Sequence, residues 1–293
     1  MIYSFKPEMA FVDKVKPGDT FKIRTNDCFL GQIKSETQDF YTIDESKVNP
    51  ATGPIFVNGA EPGDLLKVEV LDIEVNSKGV AVIIPGEGLL GNKVVKPHIR
   101  VIPVTDGHIQ FGDLLIPARP MIGVIGVAPS HAEGEWPTDT PWKHGGNMDA
   151  TDMAKGSTLF LPVSQKGALL AVGDCHALMG DGEVGVSGCE IAAEVTLRVD
   201  LIKGKTTHWP LLETGDHTMV IASGDTLEEA TFNAVDETVK YLQKGLALSW
   251  EDAYILSSLV VDVKINQVVN PKKTVRATIP KSLIKTDLII NSV

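Results

Sequence analysis

The chain reads as a mainly β protein with a C-terminal α+β portion, its strands forming β-sandwich or barrel-like units. Three observations carry that reading. Through about residue 205, short alternating or apolar runs are broken by Gly, Pro and Asp, the pattern of strands joined by tight turns. Beyond Gly224 the apolar spacing lengthens toward the helical period. At 293 residues and 43% hydrophobic content, the chain exceeds the usual size of one domain and can bury a sizeable core. The expected division is a β-rich domain over 1–205 carrying most of the candidate site, followed by an α+β domain over 206–293.

Taken in order, "KPGDTFKIRT" and "EPGDLLKVEVLDIEV" share one device. Pro17 and Pro62 fix φ at the first central turn position, Gly18 and Gly63 supply positive φ at the second, and a strand follows each turn. "GEGLLG", Gly86–Gly91, has dinucleotide-loop spacing, but "NKVVKP" after it carries no helix pattern, so it reads as a β connection. "MIGVIGVAP" and "TLFLPV" read as buried strands separated by a long polar segment, the kind of segment that often carries function. "EIAAEVTLRVDL" alternates; as a strand it buries Ile191, Ala193, Val195 and Leu197 and aims Glu190 and Glu194 the other way. "DTLEEATFNAVDETVKYLQKG" predicts a helix with Asp225 as N-cap and Gly245 just past its end. A second helix is expected to start near Ser249, and "DVKINQVVNPKKTVRATIP" returns to strands around an Asn-Pro turn.

Charge narrows the function classes. Lys and Arg total 27 against 38 Asp and Glu, a net charge of -11, with no basic run dense enough to neutralise a phosphate backbone. Nucleic acid is not an expected partner. No signal-like leader and no apolar run long enough for a membrane span occur, so a soluble cytoplasmic chain is expected. Cys28, Cys175 and Cys189 lack close pairing and read as reduced, buried packing residues.

Two clusters carry chemistry. "VGDCHALMGDGE", Val172–Glu183, places Asp174 and His176 two residues apart, on one face of a strand with Cys175 on the other. That pair suits a divalent metal, zinc before calcium. Gly180, Gly182 and Gly185 let the chain return Asp181 or Glu183 toward the same point; the competing reading is an acidic Gly-rich hairpin loop. "HGGNMDATD" combines His144, Asn147 and Asp149, a ring nitrogen, an oxyanion-stabilising amide and a carboxylate. Asp27 in "RTNDCF" is a weaker third candidate. By spacing alone Glu190 is an exposed strand glutamate. P-loop and G-x-S-x-G signatures are missing from the sequence.

Together, "GVIGVAP", "HGGNMD", "GSTLFLPV", "GALLAVGDCHALMGDGEV" and "GCEIAAEVTL" resemble the acetamidase/formamidase family, a resemblance running from "GDTFKIRTNDCFLGQI" to "AYILSSLVVDVKINQVVNPKKTVRATIP". It implies a β-rich two-domain fold, homo-oligomeric assembly and hydrolysis of the C–N bond of short carboxamides such as formamide and acetamide. On that basis Asp174 and His176 are expected to hold a divalent metal, with Asp149, Asp27 or His144 completing the set. Glu183 or Glu190 would move protons, and Asn147 or backbone N–H groups would stabilise the oxyanion. Two rivals stand beside this: a metal-independent amidase using Cys175 or Ser187, and a noncatalytic β scaffold stiffened by calcium.

Overall fold

The computed structural model describes residues 1–292. Strands dominate, in one sheet of eight, one of five and one of four, with a further two-stranded pair. The eight-stranded sheet runs, from edge to edge, Asp262–Gln267, Lys273–Pro280, His217–Gly224, Leu211–Glu213, Thr158–Pro162, Leu65–Val75, Ala193–Ile202 and Thr20–Arg24. The five-stranded sheet runs Gly145–Asn147, Met121–Gly126, Leu170–His176, Ala51–Val57 and Asp13–Val15. These two sheets pack face to face through Ile55, Ile122, Ile125, Leu170 and Val172 on one side and Leu66, Val68, Leu159, Val195 and Leu197 on the other. The mainly β, sandwich-like expectation is met.

Local chemistry explains the elements. Gly18 and Gly63 both hold positive φ, 86° and 91°, and the strands Thr20–Arg24 and Leu65–Val75 follow them as the Pro-Gly turns require. Ile83 and His98 end a pair of strands joined through Gly86–Gly91, which is a β connection.

Among the described residues there are three α-helices: α1 (Leu227–Gly245), α2 (Trp250–Val260) and α3 (Thr286–Asn291). The cap of α1 lies one residue later than expected. Thr226 accepts from the Glu229 backbone N–H, and Glu229 accepts in return from the Asp225 backbone N–H, a capping box shifted by one because a Thr-x-x-Glu pair outcompetes Asp225 alone. Gly245 closes the helix as its last residue. Ala230, Ala234, Val239 and Leu242 press α1 onto Val220, Val275 and Ala277 of the eight-stranded sheet, the stripe that the spacing indicates. Ser249 caps α2 by accepting from Asp252. Among the described residues, no helix is long and apolar enough to cross a membrane.

One expectation needs correcting. Glu190 and Glu194 do not share a surface. The strand proper begins at Ala193, so Glu194 stands on it and pairs with Lys22 and Arg24. Glu190 precedes it and is 2% exposed, joined through its backbone to Val80 and His176.

Candidate active site

Leu170 and Val172 face the sandwich core, and unbroken alternation would send Asp174 and His176 there too. Instead Cys175 enters the core. The reversal occurs at Asp174, whose φ is +51°, opposite Gly123 in the neighbouring strand, between the paired Val124–Gly173 and Ile122–Cys175. Asp tolerates this left-handed backbone better than most residues. Asp149 and Glu183 adopt it as well, at +47° and +44°. Three carboxylates are thus held in sparsely populated backbone, a cost that clusters at functional sites.

The result is a buried constellation around His176. Its Nε2 lies 3.0 Å from Glu190 Oε1, 3.7 Å from Asp174 Oδ1 and 3.8 Å from Glu183 Oε1. Asp149, His176 and Glu183 place donor atoms within 4.8 Å of one another, and so do Cys28, Asp174 and Glu190. The Gly188 backbone N–H donates to both Glu183 and Glu190, at 3.1 and 2.9 Å. His176 Nδ1 faces Met121 Sδ at 3.4 Å. Asn270 Nδ2 donates to Asp149 Oδ2 at 2.7 Å and to the Asn147 carbonyl at 3.0 Å.

The loop after His176 is anchored separately. Arg276, 1% exposed, donates to Asp181 and Asp152 at 2.8 Å each. Asp181 is therefore committed to the clamp, and Glu183 is the carboxylate returned to the site.

Above the constellation opens a cavity of about 440 Å³. Asn147, Asp174, Glu183, Glu190 and Asn270 line its polar end, and Phe29, Phe40, Ile43, Val48 and Val82 supply an apolar wall.

Electrostatics separates the carboxylates. Burial pushes Asp149 up to about 6, against the pull of His176 and Asn270. Burial also raises Asp174 and Glu183 well above the ordinary range, with Glu190 adding for Asp174 and Asp149 for Glu183. Glu190 alone is lowered: burial opposes ionisation, and the His176 charge and hydrogen bond overcome it. Burial depresses His176, but Glu190, Asp174 and Glu183 more than reverse this and hold its pKa well above normal.

This set fits a cation. Four carboxylates share one imidazole in a buried volume, and burying like charges without a counter-ion is expensive. Asp149 Oδ1, Glu190 Oε2 and Asn147 Oδ1 are buried without a hydrogen-bond partner, whereas buried polar atoms are normally satisfied.

The raised groups also set a pH dependence. Asp149, Asp174, Glu183 and His176 bind more protons folded than unfolded, so their contribution is full below the ordinary carboxylate value of about 4. It declines as the pH rises through about 6 at Asp149 and through the raised values of the others. Glu190 opposes this only partly. A divalent cation competes with those protons. The rise in thermal midpoint on adding cation to chelator-treated protein is therefore expected to be larger at about pH 7 than at about pH 5. An equal or smaller rise at the higher pH contradicts this charge assignment.

Of the residues singled out in the sequence, Asp149, Asp174, His176, Glu183 and Glu190 converge, with Asn147 at the cavity. His144 and Asp27 belong to neither donor group. His144 is 3% exposed, packed against Phe5 and Trp136, and burial lowers it to about 3. Asp27 accepts from the Phe29 and Gly31 backbone N–H groups, capping a turn. Asn270, Gly188 and Cys28 were not legible as site residues: Asn270 read as half of an Asn-Pro turn and Cys28 as packing. The rival nucleophiles differ in placement, since Ser187 lines the cavity and Cys175 does not. Cys175 is in the core with its thiol pushed up to about 12 by burial, and Ser187 Oγ bonds the Val82 backbone in both directions.

Known proteins resemble this chain in sequence and in fold. The model of the acetamidase/formamidase family matches residues 3–137 and 132–286. The crystal structure of a recombinant predicted acetamidase/formamidase from Thermoanaerobacter tengcongensis superposes with a TM-score of 0.94 at 44% identity, over 97% of this chain and 94% of that one. Acetamidase from Bacillus halodurans gives 0.93 at 41% identity, over 96% and 95%. The formamidase of Methylophilus methylotrophus is 27% identical, the match covering 67% of this chain and 63% of that protein. The chain therefore spans under two thirds of that curated relative's length.

Proposed function

Since this chain belongs to the acetamidase/formamidase family, we propose that it hydrolyses linear carboxamides to carboxylate and ammonia in the cavity above His176. The observation that carries this reading is the group of buried, unpartnered oxygens on Asp149, Glu190 and Asn147 around His176, with Glu190 and Asn147 lining the cavity. Asp149, Asp174 and His176 would hold a divalent cation, zinc rather than calcium because imidazole is among the donors. When bound, such an ion supplies Lewis acidity, polarising a carbonyl and acidifying water.

The chain's own residues divide the remaining work. Glu183 and Glu190 are pushed in opposite directions by their surroundings, the signature of a proton carrier beside a fixed charge. Glu183, with its raised pKa, takes the proton of the attacking water as the C–O bond forms. The same proton passes to the nitrogen as the C–N bond breaks. Carboxylic acid and ammonia leave and equilibrate to carboxylate and ammonium. Glu190 stays ionised against His176. Asn147 donates from its side-chain amide to the developing oxyanion.

The apolar wall receives the acyl group. One-carbon and two-carbon amides fill little of a cavity of about 440 Å³, so kcat/KM is expected to rise from acetamide through propionamide to butyramide. Each CH₂ buried contributes about 0.8 kcal/mol, about fourfold in rate. Ammonia release across that series, with formamide included, is the test. A formamide-only profile contradicts the acyl-pocket assignment, and no ammonia from any amide contradicts the hydrolase reading. Homo-oligomeric assembly belongs to the same proposal; α2 leaves Trp250, Tyr254, Ile255 and Leu259 exposed together, an apolar surface of the kind that marks protein contacts.

A further inference from the structure

We infer that Cys28 is a metal ligand, forming with Glu190 and Asp174 a second cation position beside that of Asp149, Asp174 and His176, with the Asp174 carboxylate shared between the two. The inference rests on the cation-assisted reading above and adds to it a soft position that selects zinc or cadmium over calcium.

The Cys28, Asp174 and Glu190 donor atoms lie within 4.8 Å of one another, all buried. Glu190 divides its two oxygens. Oε1 is committed to the Gly188 N–H and lies beside His176, whereas Oε2 is buried with no partner. The Glu190 carboxylate meets the Cys28 thiol and the Asp174 carboxyl side chain to side chain, so a cation can take the place of the thiol proton between them. Cys28 is also fixed in place. Asp27, just before it, accepts from the Phe29 and Gly31 N–H groups just after it, and the Cys28 carbonyl accepts from the Asn49 N–H at 2.6 Å. That gives Asp27 a positioning role one residue from the ligand. The other thiols are differently placed: Cys175 is in the sandwich core, and Cys189 is packed in a separate apolar cluster with Ile102 and Ala177.

Thiolate ligation makes the site choosy. Sulfur favours zinc and its congeners, and a calcium ion prefers an all-oxygen shell. As the Sγ–metal bond forms, the thiol proton is released to solvent. Two cations flanking one carboxylate can clamp both the attacking and the departing atoms of a displacement.

The test is titration of the chelator-treated full chain with cadmium alone, under reducing conditions without added thiol, reading bound metal and the ultraviolet thiolate-to-cadmium charge-transfer band. The expected result is two cadmium ions per chain and a charge-transfer band. Cys28→Ala and Cys28→Ser bind one ion and lose the band, while a Cys175→Ala/Cys189→Ala variant keeps it. A band that persists in Cys28→Ala, or a parent chain that binds one ion without a band, overturns the assignment. Ammonia release measured on the same samples separates the two ideas. A band that depends on Cys28 without any amide turnover removes the hydrolase reading and leaves the ligand assignment; amide turnover without the band does the reverse.

Discussion

Glu183→Gln is expected to lower amide turnover by about 10²–10⁴ while leaving KM nearly unchanged, because it removes proton transfer. Position and charge both single out Glu183. Glu183 lines the cavity, stands 3.8 Å from His176 Nε2, and has its pKa raised by burial and by Asp149. Gln preserves its volume and can still accept from the Gly188 N–H. Folding should therefore survive, which thermal unfolding of the variant checks. Glu190→Gln is expected to fail differently. Glu190 is the ionised partner of His176, so its neutralisation should weaken cation binding as well as turnover. If Glu183→Gln keeps full turnover, the proton carrier lies elsewhere.

Gly123→Ala should remove turnover by about 10² or more through crowding alone, since displacements near 1 Å at a reacting centre cost that much. A Cβ on Gly123 would stand 2.5 Å from Asp149 Oδ1, 2.6 Å from Asp174 Oδ2 and 2.8 Å from the Asp174 backbone oxygen. The side-chain oxygens can swing away only by leaving the cluster, and the backbone oxygen is held in the strand. Its backbone is in an ordinary region, so strain from φ does not enter. Gly215→Ala, where an added Cβ meets nothing within 4 Å, is the matched control. Cation affinity measured by titration should fall with turnover in Gly123→Ala and stay intact in Gly215→Ala. Unchanged cation binding in Gly123→Ala would show that Asp149 and Asp174 do not hold one ion between them.

Local rules carried most of the fold. Pro-Gly turns launch their strands, alternating runs became sheet faces, and Ser249 caps the helix its spacing indicates, because each of these depends on residues a few positions apart. Asp174 and His176 were legible for the same reason, although the route differs: the +51° φ at Asp174 reverses the alternation that would have turned them into the sandwich core.

Long-range closure was not legible. Asn270 reaches Asp149 across 121 positions, and no spacing encodes that. Glu190 read as exposed because alternation was extended past the point where the strand begins. His144 and Asp27 carry suitable donors, but aromatic packing encloses the first and its own turn occupies the second. Cys28 read as packing because a buried thiol usually is; only its neighbours Asp174 and Glu190 distinguish it.

The most direct measurement is ammonia and carboxylate release from acetamide and its longer homologues by protein verified free of metal, and again after zinc, manganese or calcium is restored singly. Turnover is expected to be lost on removal and recovered with zinc ahead of calcium, products appearing in equal amounts. Full turnover by the metal-free chain would contradict it, as would a chain that calcium stabilises and that releases no ammonia under any condition.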